Sequence, residues 1–463
     1  MNTMILVIMC FAEIMMAGKC IIKNTDAKLY TTIRFKVDIG EMLIGLCMLF
    51  FKDVSFGLRY NGLFGLLFLR VCIDGIVWGI KRGSDKKMKK VGIVMRAFIS
   101  ILLMVVSLLP SFVFRDYKGI DTAGQYAVNS EKAILIDKSR IEKFENDGSF
   151  REIPIYIYYP VVAANEEITF PVVFFSHGAF GYYASNTSTY TELASNGYVV
   201  ISVEHPYHSI FTKDTDGRTI IVDSDFIQTA MAIQNSDVYT EDMIYDISSE
   251  WMELRLDDMN YTIDTVKEVT DSGVVSADVQ CEDEKMLMEA LTLIDTEKIG
   301  VMGHSLGGAT AVTLGRTRDD IDAVIDFDGT MLGEIMGVEA GIDIVRADAY
   351  DVPLLIFYNE EHDKERKDTE KNGGIYVNNV ILNNAKEGFA TCIKGSGHMN
   401  YTDLPLFSPV LADMLGVGSV DSEQCVVKMN EITVDFFNCY LGDSGEFSVE
   451  EYYEFTQNQD FCE

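Results

Sequence analysis

The chain has 463 residues, a formal net charge of −33 and 48% hydrophobic residues. Residues 1–118 carry 17 Lys and Arg against 8 Asp and Glu, whereas the remaining residues carry 21 against 63. The strong negative charge of residues 119–463 excludes nucleic-acid binding by this region and repels it from anionic lipid surfaces. The nine cysteines form no Cys-x-x-Cys pair, which argues against a zinc or redox site of that kind. The contrast in charge predicts two regions in different environments.

Residues 1–118 are predicted to form a transmembrane region of three or four helices. The runs Gly62–Ile80 and Gly92–Phe114 are apolar and long enough to cross a bilayer. Met4–Met16 and Ile39–Phe51 are shorter and each carries one glutamate, so whether the first of them spans is left open. The N-terminus lacks the basic segment and cleavage site of a signal peptide.

Charged residues predict how this region is held together and oriented. Arg70 and Asp74 lie four residues apart on one helix face, so we expect them to pair in the bilayer, as a structural pair or as a polar site. Basic residues cluster at Lys19–Lys36 and at Lys81–Lys90, and few lie between the second and third runs. Basic loops stay cytoplasmic, so the chain from residue 115 is expected outside a multi-pass cell membrane protein. A cytosolic domain is the competing interpretation.

Residues 119–463 show continuously apolar strands that alternate with helices, which predicts a mostly parallel sheet with helices on both faces. A polar connector is expected at 115–150 and a mostly helical acidic insert, which contains six methionines, at about 210–297. The predicted strands are Ile153–Pro160, Phe170–Phe175, Tyr198–Val203, Lys298–Met302, Ile321–Phe327, Pro353–Tyr358 and Phe389–Ile393, and helices are expected at Thr191–Asn196 and Ile432–Leu441.

One motif organises this second region. Gly303-His304-Ser305-Leu306-Gly307 joins a predicted strand to a predicted helix, as the nucleophile elbow of an α/β-hydrolase does. Side chains at the two glycine positions would collide with the neighbouring strand and helix. An ordinary Gly-rich turn is the alternative interpretation of a motif this short, so the choice between the two depends on residues elsewhere in the chain.

Partners for Ser305 are found at later strand ends. Asp328 follows the next predicted strand and His398 follows the last one, which gives the chain order Ser, Asp, His of an α/β-hydrolase triad. Asp363, after the intervening strand, and Asp326 remain alternatives for the acid. The turn that begins at His177 is of the His-Gly type that supplies an oxyanion-hole amide, and we expect His177 and His304 to hold backbone geometry. His205 and His208 are expected to line or buttress the site.

Several segments together resemble the plasma-type platelet-activating factor acetylhydrolases and their bacterial lipase-like relatives, over about residues 120–440. They are Phe174-Phe175-Ser176-His177-Gly178, Leu193-Ala194-Ser195-Asn196-Gly197-Tyr198, Val203-Glu204-His205, the elbow with Gly308-Ala309-Thr310, and Lys394-Gly395-Ser396-Gly397-His398. The resemblance favours Asp328 as the acid. It implies an oxyanion hole from the amides of Ala179 and Leu306, and hydrolysis of short or oxidised acyl chains on phospholipids. Gly329 and the Ala179-Phe180-Gly181 turn depart from the family and leave the acyl-chain preference open.

The sequence therefore predicts a membrane-tethered serine ester hydrolase, a lipase or phospholipid acyl hydrolase that acts on a lipid or small ester. Ser305 would attack, His398 would accept its proton and Asp328 would orient His398, with no metal and no cofactor. The alternatives are a thioesterase, amidase or acyltransferase on the same fold, or a non-catalytic membrane receptor or scaffold. The insert at 210–297 either covers the acyl pocket with its methionines or consists of ordinary packing helices.

Overall fold

A computed structural model describes residues 2–50, 57–163, 168–233, 238–452 and 459–460 of the chain. The chain divides into two compact units, one of residues 1–118 with 406–411 and one of residues 119–405 with 412–463. None of the eight cysteines in the described part forms a disulfide.

The first unit contains four long helices, α1 (Asn2–Ile22), α2 (Ala27–Met48), α3 (Asn61–Lys81) and α4 (Lys90–Val113). Within the described residues, three stretches are long and apolar enough to cross a membrane, namely Thr3–Ile22, Asn61–Lys81 and Lys90–Val113. The first run is thus longer than the sequence suggested, because its helix continues to Ile22.

Charged side chains of all four helices meet inside this unit. The predicted pairing of Arg70 with Asp74 is wrong, because each finds partners on other helices. Arg70 contacts Glu13, Asp38 and Glu41, the last at 2.9 Å. Asp74 instead pairs with Arg34 of α2, at 3.2 Å, and with Arg96 of α4. Arg34 also donates to Glu13 at 2.8 Å and to Ser100 at 2.5 Å. We refer to Glu13, Arg34, Asp38, Glu41, Arg70, Asp74 and Arg96 as the bundle network.

The connections α1–α2 and α3–α4 lie at the same end of the first unit. The amide of Ala27 donates to the carbonyl of Lys86 at 2.8 Å, and that of Met88 donates to Thr25 at 3.1 Å. Lys28, Arg34 and Lys36, which the sequence assigned to a loop, lie within α2. The α1–α2 connection is therefore shorter and less basic than predicted, whereas the α3–α4 connection keeps its lysines.

The second unit is built on a ten-stranded sheet among the described residues, and the predicted α/β-hydrolase class is confirmed. The strand order is β14-β13-β12-β9-β8-β3-β4-β2-β1-β7, and the six strands from β13 to β4 are parallel. The strands of this unit are β1 Val128–Ile141, β2 Phe150–Pro160, β3 Phe170–Ser176, β4 Val199–Val203, β5 Phe211–Lys213, β6 Thr219–Ile221, β7 Val279–Cys281, β8 Ile294–His304, β9 Ala323–Phe327, β10 Ile335–Glu339, β11 Ile342–Val345, β12 Leu354–Tyr358, β13 Gly388–Cys392 and β14 Gln459–Asp460.

Helices cover both faces of the sheet. Successive residues of a strand point to opposite faces, and in β8 Ile299 and Val301 pack in the core cluster that contains Met259. Gly300 faces the other way, toward Phe437. The helices after α4 are α5 Thr187–Ser195, α6 Ser224–Ile233, α7 Glu241–Ser272, α8 Glu284–Leu291, α9 Leu306–Thr317, α10 Glu360–Lys371, α11 Val377–Asn384, α12 Leu404–Phe407, α13 Pro409–Leu415 and α14 Ser422–Tyr440.

Two segments differ from the sequence prediction. The expected connector at 115–150 contains β1, which pairs antiparallel with β2 along most of its length. The expected helical insert at 210–297 contains α6, α7 and α8, but also strands that were not predicted, namely the β5–β6 hairpin, β7 and the start of β8. The carboxyl ends of β3, β8, β9, β12 and β13 meet at one edge of the sheet, where ligands bind in folds of this kind.

Candidate active site

Ser305 lies at the sharp turn between β8 and α9. Its backbone has φ 55° and ψ −121°, a strained conformation for a residue with a side chain. A Cβ on Gly303 would lie 2.2 Å from the backbone of Gly307, and one on Gly307 would lie 1.9 Å from the carbonyl oxygen of Ser176. The predicted collisions at both glycines are therefore present, and the turn leaves Ser305 half-buried rather than enclosed.

Asp328 and His398 are brought together beside this turn. The Nδ1 of His398 donates to Oδ2 of Asp328 at 2.6 Å. Asp328 is 2% exposed, and the side chain of His398 is 30% exposed. Burial would raise the pKa of the Asp328 carboxyl, but hydrogen bonds from His362 and His398 hold this pKa well below its ordinary value. Asp328 is thus an ionised acceptor that fixes the orientation of His398.

The two other candidate acids are engaged elsewhere. Asp363 pairs with Arg366 and with Lys367, each at 2.6 Å. Asp326 is fully buried and accepts from the amide of Gly329 at 2.9 Å. Burial and the nearby Asp328 charge raise the pKa of Asp326 well above its ordinary value, and its hydrogen bond serves the local turn rather than an imidazole.

His362 is a member of the site that the sequence analysis missed. It lies in the first turn of α10, and its Nδ1 donates to Oδ1 of Asp328 at 2.9 Å. Burial lowers the pKa of His362, but the bond to the Asp328 carboxylate outweighs burial and leaves this pKa raised. The backbone and side-chain amides of Asn359 also donate to Asp328, at 2.7 and 2.5 Å. The carboxylate of Asp328 therefore accepts a hydrogen bond from each of two imidazoles, those of His362 and His398.

The turn after β3 lies against the serine. A Cβ on Gly178 would be 3.3 Å from Cβ of Ser305 and 2.8 Å from Nδ1 of His304. The amides of Ala179 and Leu306 donate to no acceptor in the described part of the chain. Two unpaired N–H groups beside a serine are what an oxyanion hole requires.

Buried charges of α7 hold this turn in place. Arg255 donates to the carbonyl oxygens of His177 and Gly178, the second at 3.3 Å. Asp258 accepts from His205 Nδ1 at 3.0 Å, and His205 Nε2 bonds the hydroxyl of Ser176 at 2.9 Å. This matches the buttressing expected of His205, whereas nothing in the sequence pattern singled out α7.

His177 and His304 bond to the backbone, as expected. His177 Nδ1 bonds the carbonyl of Gly178 at 2.7 Å, and His304 Nε2 bonds the carbonyl of His398 at 3.1 Å. Burial lowers the pKa of His304 to about 3, helped by the nearby His398. His208 stacks on Phe226 with ring centroids 3.9 Å apart.

An apolar cluster adjoins the oxyanion-hole candidates. Phe226 and Met252, both from the predicted insert, are buried against Leu306 and Ala309. Partly buried residues pack around them, namely Ala179, Phe180, Val222, Trp251, Leu256 and Leu332. Met252 is the one of the six insert methionines that packs here. Met259 lies in the main core, and Met231 and Met243 are exposed.

Comparison with known protein families identifies the family of this chain. The sequence model of the family described as platelet-activating factor acetylhydrolase, isoform II, matches residues 153–457. The chain belongs to this family. The resemblance seen in the motifs is therefore confirmed.

Curated relatives named platelet-activating factor acetylhydrolase include those of Cavia porcellus and Bos taurus. They are 22% identical over 280 residues and 23% identical over 287 residues. These matches cover 59% and 60% of this chain, but only 58% and 59% of the relatives. The chain thus spans under two thirds of the length of these family members.

A solved structure gives the same fold. The ferulic acid esterase from Streptomyces cinnamoneus aligns with a TM-score of 0.50 and 16% identity, over 73% of this chain and 98% of the esterase. At this identity the likeness concerns the fold alone, which is that of the α/β-hydrolases.

Proposed function

We propose that the chain is a membrane-tethered serine ester hydrolase that acts through an acyl-enzyme. His398 accepts the proton of Ser305 as the hydroxyl attacks an ester carbonyl. Asp328 fixes the imidazole tautomer and stabilises the imidazolium. The amides of Ala179 and Leu306 hold the oxyanion, and loss of one such donor costs about 3 kcal/mol of barrier. Water then deacylates Ser305 by the same route, without a metal or cofactor in any step.

The Asp328–His398 hydrogen bond of 2.6 Å beside the strained turn of Ser305 carries this proposal. Ordinary Gly-rich turns do not need a serine with positive φ, nor a buried carboxylate that orients a partly exposed imidazole. The pairing of both features favours an enzyme over a receptor or scaffold that retains the fold.

Covalent labelling tests the proposed nucleophile. We expect a fluorophosphonate probe to label the wild-type chain and the control Ser272→Ala, whose serine is exposed at the end of α7. Ser305→Ala should lose the label and several orders of magnitude of turnover of p-nitrophenyl acetate, because nucleophile and base act as a unit. Labelling of Ser305→Ala, or more than a tenth of wild-type turnover, would refute the assignment.

The substrate class we propose is an ester with a short or oxidised acyl chain on a phospholipid, as in the family. The apolar cluster around Phe226 and Met252 supports this class, since it offers an uncharged wall next to Leu306. We expect Met252→Ala to raise activity on longer p-nitrophenyl esters relative to the acetate. Met243→Ala, exposed on the same helix, should leave this ratio unchanged. If Met252→Ala left the ratio of activity on longer esters to activity on the acetate unchanged, the acyl group would not bind against Met252.

We further propose that the helices of the first unit anchor the enzyme with its catalytic unit outside the cell. The lysine-rich α3–α4 connection pairs with the α1–α2 connection, which supports a cytoplasmic position for that end of the bundle. Helix α4 then runs to the opposite end before residue 115. A membrane-impermeant protease should digest the catalytic unit in intact cells. Survival of this unit until the cells are lysed would place it in the cytosol.

A further inference from the structure

His362 and His398 share the carboxylate of Asp328 from two sides. The Nδ1 atoms lie 2.9 and 2.6 Å from its two oxygens. One ligand atom from each of the three residues can be chosen so that all lie within 4.8 Å of one another. A hydrolytic triad needs one imidazole on its acid, so the reaction leaves His362 without a required role.

The donor set is that of a transition-metal site. Two imidazole nitrogens and one carboxylate oxygen suit Zn²⁺, which binds such ligands at about 2.0–2.2 Å and leaves a position for water. Asn359 already holds the carboxylate through two amide donors, as outer-shell residues do in metal sites. The first turn of α10 adds the carboxylates of Glu360 and Glu361, whose charges attract cations.

The two imidazoles of this site reach solvent, although its carboxylate is buried. The side chains of His362 and His398 are 36% and 30% exposed, so an ion can reach both rings without unfolding. A second set of three acidic groups, Glu13, Asp38 and Glu41, differs in this respect. It is buried, and arginines of the bundle network already neutralise it.

We propose that Asp328, His362 and His398 form an inhibitory binding site for a divalent transition cation, with Zn²⁺ as its probe. The proposal rests on the proposed function, since His398 is the assigned base. Neutral His398 carries its proton on Nδ1, where the carboxylate accepts it. Coordination of Zn²⁺ at Nδ1 moves that proton to Nε2. The atom that must accept the proton of Ser305 is then protonated, so the enzyme stops until the metal leaves.

Inhibition is tested on the full chain, without a histidine tag, in chelator-treated buffer with p-nitrophenyl acetate. We expect Zn²⁺ to inhibit the wild type reversibly, with activity restored by EDTA. His362→Phe removes one ligand, so its inhibition constant should rise by about tenfold or more. Glu361→Gln changes a charge on the neighbouring exposed residue but removes no ligand, and should shift this constant much less. Equal inhibition of wild type and His362→Phe overturns the proposal.

Binding is measured separately from activity, on the Ser305→Ala background. We expect one Co²⁺ per chain, seen by its visible absorption and by calorimetry, and loss of this binding when His362→Phe is added. Absence of Co²⁺ and Zn²⁺ binding overturns the metal site. Binding that leaves wild-type turnover unchanged overturns its inhibitory role. An inactive wild type that still binds the metal through His362 would instead refute the proposed function.

Discussion

Arg255 of α7 donates to the backbone carbonyl of His177, in the turn that carries the proposed oxyanion-hole amide of Ala179. The segment predicted as an insert is thus attached to the proposed catalytic site. Part of it lines the apolar cluster, and another part fixes the turn after β3.

Arg255→Met should lower kcat on p-nitrophenyl acetate by roughly 10- to 100-fold with a small change in KM, because the oxyanion-hole turn shifts when its anchor is lost. The loss should be similar for short and long esters, unlike that of a pocket variant. Steady-state kinetics on a series of acyl lengths measures both effects. Glu253→Gln, exposed on the same helix, is the control. Wild-type kcat in Arg255→Met would show that the turn holds its position unaided.

Asp328→Asn should impair turnover far more than Asp363→Asn, by several orders of magnitude. Of these two carboxylates, that of Asp328 contacts an imidazole, whereas Asp363 pairs with Arg366 and Lys367. An amide neither selects the productive tautomer nor stabilises the imidazolium. The comparison requires kcat of both variants at one pH, with folding checked by circular dichroism. If Asp363→Asn were the more damaging, the acid would belong to the end of β12.

The raised pKa of Glu204 predicts that the free energy of unfolding depends on pH. Burial raises its pKa to about 7, against the lowering effect of hydrogen bonds from Ser209 and the Tyr183 amide. The folded pKa exceeds the unfolded value near 4.5, so this contribution is present below pH 4.5 and is lost as pH rises through 7. Glu204→Gln should therefore flatten the fall in unfolding free energy between about pH 4.5 and pH 7, by up to about 1.4 kcal/mol per pH unit.

Urea unfolding in detergent, followed by the fluorescence of Trp251 in a Trp78→Phe background, gives the free energies at each pH. Glu250→Gln serves as the control, because Glu250 is exposed on α7. A wild-type slope that Glu204→Gln leaves unchanged would show that Glu204 titrates normally in the folded chain.

Arg70→Leu should destabilise the helical unit by about 3–5 kcal/mol, since it leaves buried Glu41 without its arginine and leaves Glu13 and Asp38 with Arg34 alone. Glu13, Asp38 and Glu41 all face this guanidinium. Thermal unfolding in detergent, followed by the fluorescence of Trp78, measures the effect. Arg82→Ala, exposed at the end of α3, should change the midpoint little. Comparable midpoints for the two variants would mean that solvent reaches the network.

Local sequence patterns predicted the parallel sheet and the elbow because both depend on residues that are contiguous in the sequence. Buried parallel strands are continuous apolar runs, and the elbow requires glycines on both sides of Ser305. By contrast, β1 carries Glu131, Lys132 and Asp137 and became recognisable only through its pairing with β2. Its stability depends on a partner that no local pattern shows.

Side-chain partners across elements were the least predictable feature. The spacing of Arg70 and Asp74 allows a pair on one helix face, but α1 and α2 offer Arg70 three carboxylates, and α2 and α4 offer Asp74 two guanidinium groups. His362 was overlooked for a similar reason. After β12 the sequence pattern indicated only Asp363, which is the next residue after His362. Asp363 pairs with Arg366 instead of contacting Asp328.

The contact between Asn359 and Asp328 joins the ends of the neighbouring strands β9 and β12. Asn359 follows β12, where many α/β-hydrolases place their acid, and its amide nitrogen lies 2.5 Å from Asp328 and 3.1 Å from His362. Exchange of the two residues, Asp328→Asn with Asn359→Asp, would move the carboxylate to the neighbouring strand within reach of the same cluster of imidazoles. Two conservative substitutions would therefore shift the carboxylate between the ends of two neighbouring strands while it stays beside His362.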